Sequence, residues 1–287
     1  MKDKIKVIYI SGIGRSGSTL LDLLISTNDS VFSVGEIYKY NELKKRNIEC
    51  SCGNKFNKCI FWKNFVNNKT KIINRMNLKD YLKMINFLLN PLSKKINFKD
   101  KSQDYDLFTK IKKENPNVEY ILDSSKDIAR LIELDSDPRI EIYNISIIRD
   151  GRAVANSFSS NRGGKNKNYF ISLLKWNFVN FMMLKYLKKR KLPSLIISYE
   201  EFCKNPRKYI NKIQQHLNIK IPKNYSKKIS KMEYHGLSPN RIAKKENRKN
   251  FKGIKYDDKW MREQGSFNKI LGTFLTYPLN KNLVYAK

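Results

Sequence analysis

The chain has 287 residues, 40% of them hydrophobic, and a formal net charge of +32 at neutral pH. This composition allows a full hydrophobic core and favours a single α/β domain over residues 1–287. The longest apolar run near the N-terminus is short and leads directly into a glycine-rich loop, which argues against a transmembrane segment and a signal peptide. We therefore expect a cytoplasmic protein. The lysines are spread along the whole chain without a stripe interleaved with aromatic residues, so we expect no specific nucleic-acid partner.

A glycine-rich segment follows the first predicted strand. The apolar run from Ile5 to Ile10 predicts a strand, glycines at positions 12, 14 and 17 predict a loop, and the leucines from Leu20 onward predict a helix. Such a loop directs several unpaired backbone N–H groups at one point, beside the positive end of the helix dipole. The sequence therefore predicts a binding site for a phosphate-like anion.

The sequence of this loop allows three interpretations, which differ in the anion that would bind. Its spacing nearly matches a nucleoside triphosphate loop, but Ser18 stands where that loop needs a lysine, which argues against ATP or GTP hydrolysis. The spacing also fits a dinucleotide fingerprint, with Glu36 about where a ribose-binding acid is expected. Arg15, together with hydroxyl groups and backbone amides, suits a sulfated or phosphated anion that is held without a metal ion.

A second short strand, from Ser30 to Val34, ends next to Glu36. Ligands of α/β sheets bind at the carboxyl ends of strands, so Glu36 is a candidate general base, whereas most isolated glutamates are surface or capping residues. The next predicted strand begins only near Val118. We interpret residues of about 38–117 as a mainly helical insertion that forms part of the acceptor pocket.

Two later strands bring cations to their ends. Lys126 lies where a strand ends and a helix begins, against the helix dipole, which indicates an anion nearby. The strand from Ile140 to Asp150 carries Arg149, and Ser157 follows on the next helix. Arg149 and Ser157 can converge on one phosphate. The alternative for Lys126 is an exposed lysine without a ligand, and the alternative for Arg149 is a structural ion pair.

The last third of the chain alternates helical and irregular patterns. A helix from Phe170 to Lys188 is predicted to pack through the residues Leu173, Leu174, Phe178, Phe181 and Leu184. A fifth strand runs from Ser194 to Tyr199. The basic, glycine-punctuated segment near the end predicts a loop over a bound anion, with Arg241, Arg248 and Lys249 as candidates, or else a solvated basic segment.

Three of the four cysteines lie close together in sequence, at Cys50, Cys52 and Cys59. Their C-x-C-x6-C spacing lacks the C-x-x-C pair and the fourth ligand that are typical of structural zinc. We expect a reduced cluster that packs a loop, and no metal. The two histidines, His216 and His235, show no spacing that supports a metal site or a hydrolase triad.

These motifs together resemble one family, the sulfotransferases that use 3′-phosphoadenosine-5′-phosphosulfate (PAPS), and within it the bacterial type related to tyrosylprotein and carbohydrate sulfotransferases. The resemblance is carried by GIGRSGSTLL at 12–21, GE at 35–36, CSCGNKFNKCIFW at 50–62, DSSKD at 123–127, IIRDGRAVANS at 147–157 and YEEFCKNP at 199–206. These segments span most of the chain in the family's order. The fold implied is a P-loop-like parallel sheet flanked by helices.

The resemblance also implies roles for individual residues. The 5′-phosphosulfate would be held by the loop residues Gly14, Arg15, Ser16, Gly17, Ser18 and Thr19. Arg149 and Ser157 would bind the 3′-phosphate. Glu36 would be the catalytic base, while Lys126 and Arg15 would stabilise the charge that develops during transfer. The co-substrate is then PAPS without a metal ion, and the acceptor we expect is a saccharide or glycolipid.

Two other functions fit part of the sequence. An NAD-dependent oxidoreductase would place Glu36 on the ribose, but it leaves Lys126, Arg149 and Ser157 without a task. A basic protein that binds nucleic acid or another anionic polymer would bind in a strongly salt-dependent way, and its binding would survive the loss of Arg15 or Arg149.

Overall fold

Five parallel strands form the sheet in this computed structural model, which describes residues 4–65, 78–90, 93, 96, 104–160 and 168–285. The strands are β1 Ile5–Gly12, β2 Val31–Gly35, β3 Tyr120–Lys126, β4 Ile140–Ile148 and β5 Ser194–Ser198. Their order across the sheet is β2-β3-β1-β4-β5, so β1 is central. The predicted parallel α/β sheet is confirmed.

Fourteen α-helices accompany these strands in the described ranges. They are α1 Ser18–Ile25, α2 Tyr40–Lys45, α3 Ile60–Phe65, α4 Leu78–Leu89, α5 Asp104–Glu114, α6 Ile128–Ser136, α7 Gly151–Ser159, α8 Tyr169–Arg190, α9 Tyr199–Lys204, α10 Pro206–Leu217, α11 Tyr225–Lys231, α12 Lys245–Lys249, α13 Lys259–Glu263 and α14 Ser266–Leu279. Shorter 3-10 turns lie at Ile37–Lys39, Phe56–Lys58 and Arg241–Ala243, and a π-helix lies at Asn280–Val284. Among the described helices, none combines the length and the apolar character needed to cross a membrane.

The central strand contains a continuous apolar run at residues 7–10 because both of its faces are buried. Val7 and Tyr9 join one hydrophobic cluster, whereas Ile8 and Ile10 join a second cluster on the other face. Alternate side chains of a strand point to opposite faces of the sheet. A continuous apolar run, rather than an alternating one, is therefore what this position requires.

The helices that follow the three central strands lie on different faces. Leu21 and Leu24 of α1, after β1, pack into the cluster that contains Ile8. Leu131 of α6, after β3, and Val154 of α7, after β4, pack into the cluster that contains Val7. The crevice where the connections diverge lies at the carboxyl end of β1, which is where open α/β sheets bind ligands.

The insertion between β2 and β3 is mainly helical in its described part, as predicted, with α2 to α5 in it. Residues 66–77, 91–92, 94–95 and 97–103 of the predicted range lie outside the described residues. Buried ion pairs connect the insertion to the sheet. Arg130 on α6 contacts Asp104 on α5, and its Nε donates to Asp123 Oδ2 on β3 at 2.9 Å.

The packing predicted for α8 is partly wrong. Leu173 is buried, but Leu174, Phe178 and Phe181 are 46%, 44% and 45% exposed. The buried face instead carries Trp176, Asn180, Met182, Met183 and Tyr186. The helix has apolar residues on several sides, so its sequence pattern does not single out the face that contacts the sheet.

Replacing Arg130 with methionine should strongly destabilise the fold. The three side chains of this ion-pair cluster are 0–3% exposed, so the variant would leave two carboxylates buried without their cation. Such a loss costs about 3–5 kcal/mol of the free energy of unfolding. Urea unfolding of Arg130→Met and native protein measures it.

Arg46→Met is the matched control, because the exposed Arg46–Glu42 pair on the surface contributes at most about 1 kcal/mol. Equal destabilisation by the two substitutions would contradict the structural role given to Arg130.

Candidate functional site

The predicted glycine loop lies between the end of β1 and the start of α1. Its backbone is in the left-handed region at Gly12, Arg15 and Gly17, with φ of 133°, 74° and 91°. A Cβ atom on Gly17 would lie 2.5 Å from the ring of Tyr199, so only glycine fits. No side chain caps the N-terminus of α1. The first backbone N–H groups of that helix are therefore available to an anion.

A cavity of about 1750 Å³ opens at this loop. Nine of the predicted site residues line it: Gly14, Arg15, Gly17, Ser18, Thr19, Glu36, Lys126, Arg149 and Ser157. Ser16 does not line it. Its side chain is fully buried, and its Oγ has no hydrogen-bond partner among the described residues. The structure therefore brings together every residue that the family resemblance assigns to the site, except the side chain of Ser16.

Glu36 is buried at the end of β2 between two lysines. Lys126 Nζ lies 2.8 Å from Glu36 Oε1, and Lys39 Nζ contacts Glu36 Oε2. Burial by itself raises the pKa of this carboxyl, but the charges of Lys126 and Lys39 outweigh burial and lower the pKa below its ordinary value. Glu36 is thus ionised at neutral pH and paired with cations.

Lys126 is the last residue of β3 and has a strained backbone. Its φ of 66° lies in the left-handed region, which costs of order 1–3 kcal/mol for a residue other than glycine. Its ammonium also donates to the carbonyl oxygen of Ser124 at 2.8 Å. The anion that the sequence predicted beside this lysine is, in this structure, the carboxylate of Glu36.

Arg149 is held at the end of β4 by contacts from three parts of the chain. Its Nη1 donates to the carbonyl oxygen of Arg15 at 3.3 Å, and its Nη2 donates to that of Asp257 at 2.7 Å. The guanidinium carbon lies 4.6 Å from the ring centroid of Tyr199. Nε is buried and has no hydrogen-bond partner in the part of the chain that the structure describes. Arg149 is therefore oriented next to the glycine loop, and its buried Nε–H group is available as a hydrogen-bond donor.

The C-terminal loop contributes to the cavity in a different way from that predicted. Arg241 lines the cavity, but Arg248 and Lys249 do not. Arg248 is 2% exposed and donates to the carbonyl oxygens of Ala243 and, at 2.9 Å, of Ser51. Its role is to join this loop to the insertion, so its assignment to a bound anion is wrong.

Sequence reasoning missed four lysines of the cavity, Lys39, Lys175, Lys252 and Lys255. Lys39 lies on the turn after Glu36, Lys175 lies on α8, and the other two lie in the irregular segment after α12. No periodicity marks such positions in a chain with 58 lysines and arginines. In the described lining, eight lysines and arginines face three carboxylates, which makes this cavity suited to an anionic ligand.

The strand order separates Glu36 from the place of a ribose-binding acid. In a dinucleotide-binding fold with the order 3-2-1-4-5-6, β2 is next to β1, which brings the acid beside the glycine loop. In this chain β3 lies between β2 and β1. Both carboxylate oxygens of Glu36 also contact lysines. These observations disfavour the dinucleotide interpretation of the loop.

Nearly the whole chain matches one solved sulfotransferase domain in fold. The domain from the Synechococcus PCC 7002 olefin synthase matches with a TM-score of 0.52 and 17% identity, over 96% of each chain. This chain has a sulfotransferase fold. The sulfotransferase domain from the curacin biosynthetic pathway matches at a TM-score of 0.49 and 15% identity, over 96% of this chain and 98% of that one. Retinol dehydratase in a complex with retinol and PAP matches with a TM-score of 0.43 and 13% identity, over 98% of this chain and 82% of that one.

No family model matches the sequence, and no curated protein matches it either. Because the olefin synthase domain matches at low identity, this similarity establishes the fold and not the reaction. The fold expected from the motif resemblance is confirmed.

The cysteine loop has a neighbour that the sequence did not predict. Nδ1 of His235 lies 3.3 Å from the sulfur of Cys59, across 176 residues of sequence. The segment that carries His235 reaches the loop because it runs along the edge of β2, where Leu237 pairs with Gly35. The premise that the cluster lacks a fourth ligand residue was therefore wrong.

Replacing Lys126 with methionine should raise the pKa of Glu36. The variant removes the cation that lowers the pKa of Glu36 most and leaves the burial, which favours the neutral carboxyl. The pH titration of the Glu36 carboxyl carbon by NMR, assigned through its absence in Glu36→Gln, measures the shift.

Lys204→Met removes the same charge from an exposed position outside the cavity and should leave this titration unchanged. A Glu36 pKa that stays equal or falls in Lys126→Met would mean that another group sets its ionisation.

Proposed function

We propose that this protein transfers a sulfuryl group from PAPS to the hydroxyl group of an acceptor. The observation that carries the proposal is that one cavity combines the glycine loop at the start of α1 with Lys126, Arg149 and Ser157. The donor has anionic groups on both its 5′ and 3′ positions, and this cavity offers amides, cations and hydroxyls to both. The sulfotransferase fold supports the proposal.

The donor would be held by different residues at its two ends. The backbone amides of the loop, with Arg15, Ser18 and Thr19, would bind the 5′-phosphosulfate. Arg149 and Ser157 would bind the 3′-phosphate, for which the buried Nε of Arg149 supplies a further donor. Ser18 replaces the lysine that reaches the terminal phosphates in a triphosphate loop, so the loop suits a phosphosulfate better than a triphosphate.

Glu36 would take the proton of the acceptor hydroxyl. The acceptor oxygen then forms a bond to sulfur while the bond between sulfur and the bridging phosphate oxygen breaks, and adenosine 3′,5′-bisphosphate leaves. Catalysis of this kind is mainly positioning and charge stabilisation. Arg15, Lys126 and the loop amides would stabilise the charge on the bridging and equatorial oxygens.

The ion pair between Lys126 and Glu36 suggests how donor binding activates the base. In this structure the charge of Lys126 lowers the pKa of Glu36, which makes Glu36 a weaker base. A bridging oxygen that attracts Lys126 would weaken this pair and raise the pKa of Glu36. The carboxylate would then accept a proton more readily when the donor is in place.

The acceptor side of the cavity combines aromatic and apolar residues. Tyr38 and Tyr81 come from the insertion, and Phe178, Val179 and Met182 come from α8. Such surfaces pack against the faces of sugar rings and against lipid chains. We therefore propose that the insertion forms part of the acceptor pocket and that the acceptor is a saccharide or glycolipid.

Glu36→Gln should lower the rate of sulfuryl transfer by about 10²–10⁴-fold, which is the usual contribution of a general base. The measurement is the transfer of labelled sulfate from PAPS to panels of saccharides, glycolipids and tyrosine peptides, with release of adenosine 3′,5′-bisphosphate followed in parallel. Donor binding should persist, because glutamine keeps the shape of the side chain.

Glu119→Gln is the control, since Glu119 is exposed and does not line the cavity. Full activity of Glu36→Gln would contradict the role of the base, and absence of donor-dependent transfer by the native chain to every acceptor class would contradict the proposed reaction.

A further inference from the structure

A compact set of three thiols and one imidazole lies outside the cavity. The sulfurs of Cys50, Cys52 and Cys59 and a ring nitrogen of His235 all lie within 4.8 Å of one another. Cys50 and Cys59 are buried, and Cys52 and His235 are partly exposed. We propose that these four side chains bind one Zn²⁺ ion in a structural site.

The three distances from the sulfur of Cys59 match the edges of a zinc tetrahedron, and the other ligand atoms lie within 4.8 Å of one another. Zn–S bonds of about 2.3 Å and a Zn–N bond of about 2.0–2.1 Å give edges of about 3.8 Å between sulfurs and about 3.5 Å between sulfur and nitrogen. Cys59 Sγ lies 3.6 Å from Cys50 Sγ, 3.8 Å from Cys52 Sγ and 3.3 Å from His235 Nδ1. These sulfurs are too far apart for a disulfide, which requires about 2.0 Å.

The imidazole is oriented as a metal-bound histidine usually is. While Nδ1 faces Cys59, Nε2 lies 3.0 Å from Glu233 Oε1, so the ring can donate its remaining proton to a carboxylate. The ring also stacks on Phe61, with centroids 5.4 Å apart. Two independent contacts therefore fix the ring with one nitrogen directed at the thiols.

The chemistry of these four ligands favours zinc among the common protein metals. Three thiolates and one imidazole are soft ligands that suit tetrahedral Zn²⁺, whereas Mg²⁺ and Ca²⁺ require oxygen ligands. Four protein ligands leave no open position for water or substrate, which is the arrangement of a structural site. We assign no catalytic step to the ion.

The ion would connect the insertion to the strand edge that carries Glu36. The segment with His235 pairs with β2: the amide of Glu36 donates to the carbonyl oxygen of Leu237 at 2.6 Å. On the other side, Trp62 Nε1 donates to the carbonyl oxygen of His235 at 2.9 Å, and Ser51 Oγ donates to that of Gly236 at 2.7 Å. Zinc would thus stabilise the packing of the cysteine loop against this segment.

Metal analysis of the purified full chain tests the proposal directly. We expect one zinc per chain after dialysis, and a lower melting temperature after extraction with a strong chelator. Co²⁺ added to the extracted protein should give the intense visible absorption and thiolate charge-transfer bands of a tetrahedral site. These readouts use native protein and do not depend on sulfuryl transfer.

Variants locate the ion. Cys52→Ala and His235→Ala should each lose the stoichiometric zinc, whereas Cys203→Ala, which removes a buried cysteine outside the cluster, should keep it. Glu233→Gln should weaken zinc binding by about 10–100-fold, because it alters the outer partner of the histidine.

The proposal would be overturned if native protein bound no zinc even from added Zn²⁺ and if its thiols reacted with a thiol reagent at the same rate with and without added Zn²⁺. Bound iron in place of zinc would overturn the assigned ion, and zinc retained by both Cys52→Ala and His235→Ala would overturn the assigned ligands.

Discussion

The register of the central strand with its two neighbours determines which side chains meet at the candidate site. Ser11 on β1 is paired with Lys126 on β3, and Gly12 is paired with Ile147 on β4. The glycine loop, Lys126 and Arg149 therefore leave the sheet at nearly the same level. Since parallel strands end at one edge, a change of register in either pair would separate the loop from its cations.

The sheet and the loop could be predicted because their physical requirements leave strong marks in the sequence. A strand that is buried on both faces favours a continuous apolar run, as at residues 7–10 of β1, and each of the other four strands contains a short apolar segment. A loop whose backbone approaches Ile147 and Tyr199 needs glycine, and Gly12 and Gly17 mark those points. Glu36 could be placed at the cavity because it directly follows a strand.

Contacts between distant segments could not be predicted in the same way. His235 meets the cysteine loop only because its segment pairs with the edge of β2, and one histidine in a loop has no periodicity. Arg248 is buried by packing against the insertion, although its sequence neighbours are basic and exposed. Lys39 pairs with Glu36 because both lie on one short turn, and the sequence of that turn does not predict that the Lys39 side chain points back toward Glu36.

The proposed donor site depends most on Arg149, which joins the glycine loop to the C-terminal segment through Arg15 and Asp257. Calorimetric titration of native protein and Arg149→Ala with adenosine 3′,5′-bisphosphate, 5′-AMP and NAD tests it most directly, with Arg46→Ala as the exposed control. We predict that native protein prefers the bisphosphate over 5′-AMP by about 10–100-fold, the value of hydrogen bonds to a charged group, and that Arg149→Ala loses this preference. Tighter binding of NAD, or an unchanged preference in Arg149→Ala, would contradict the proposed donor site.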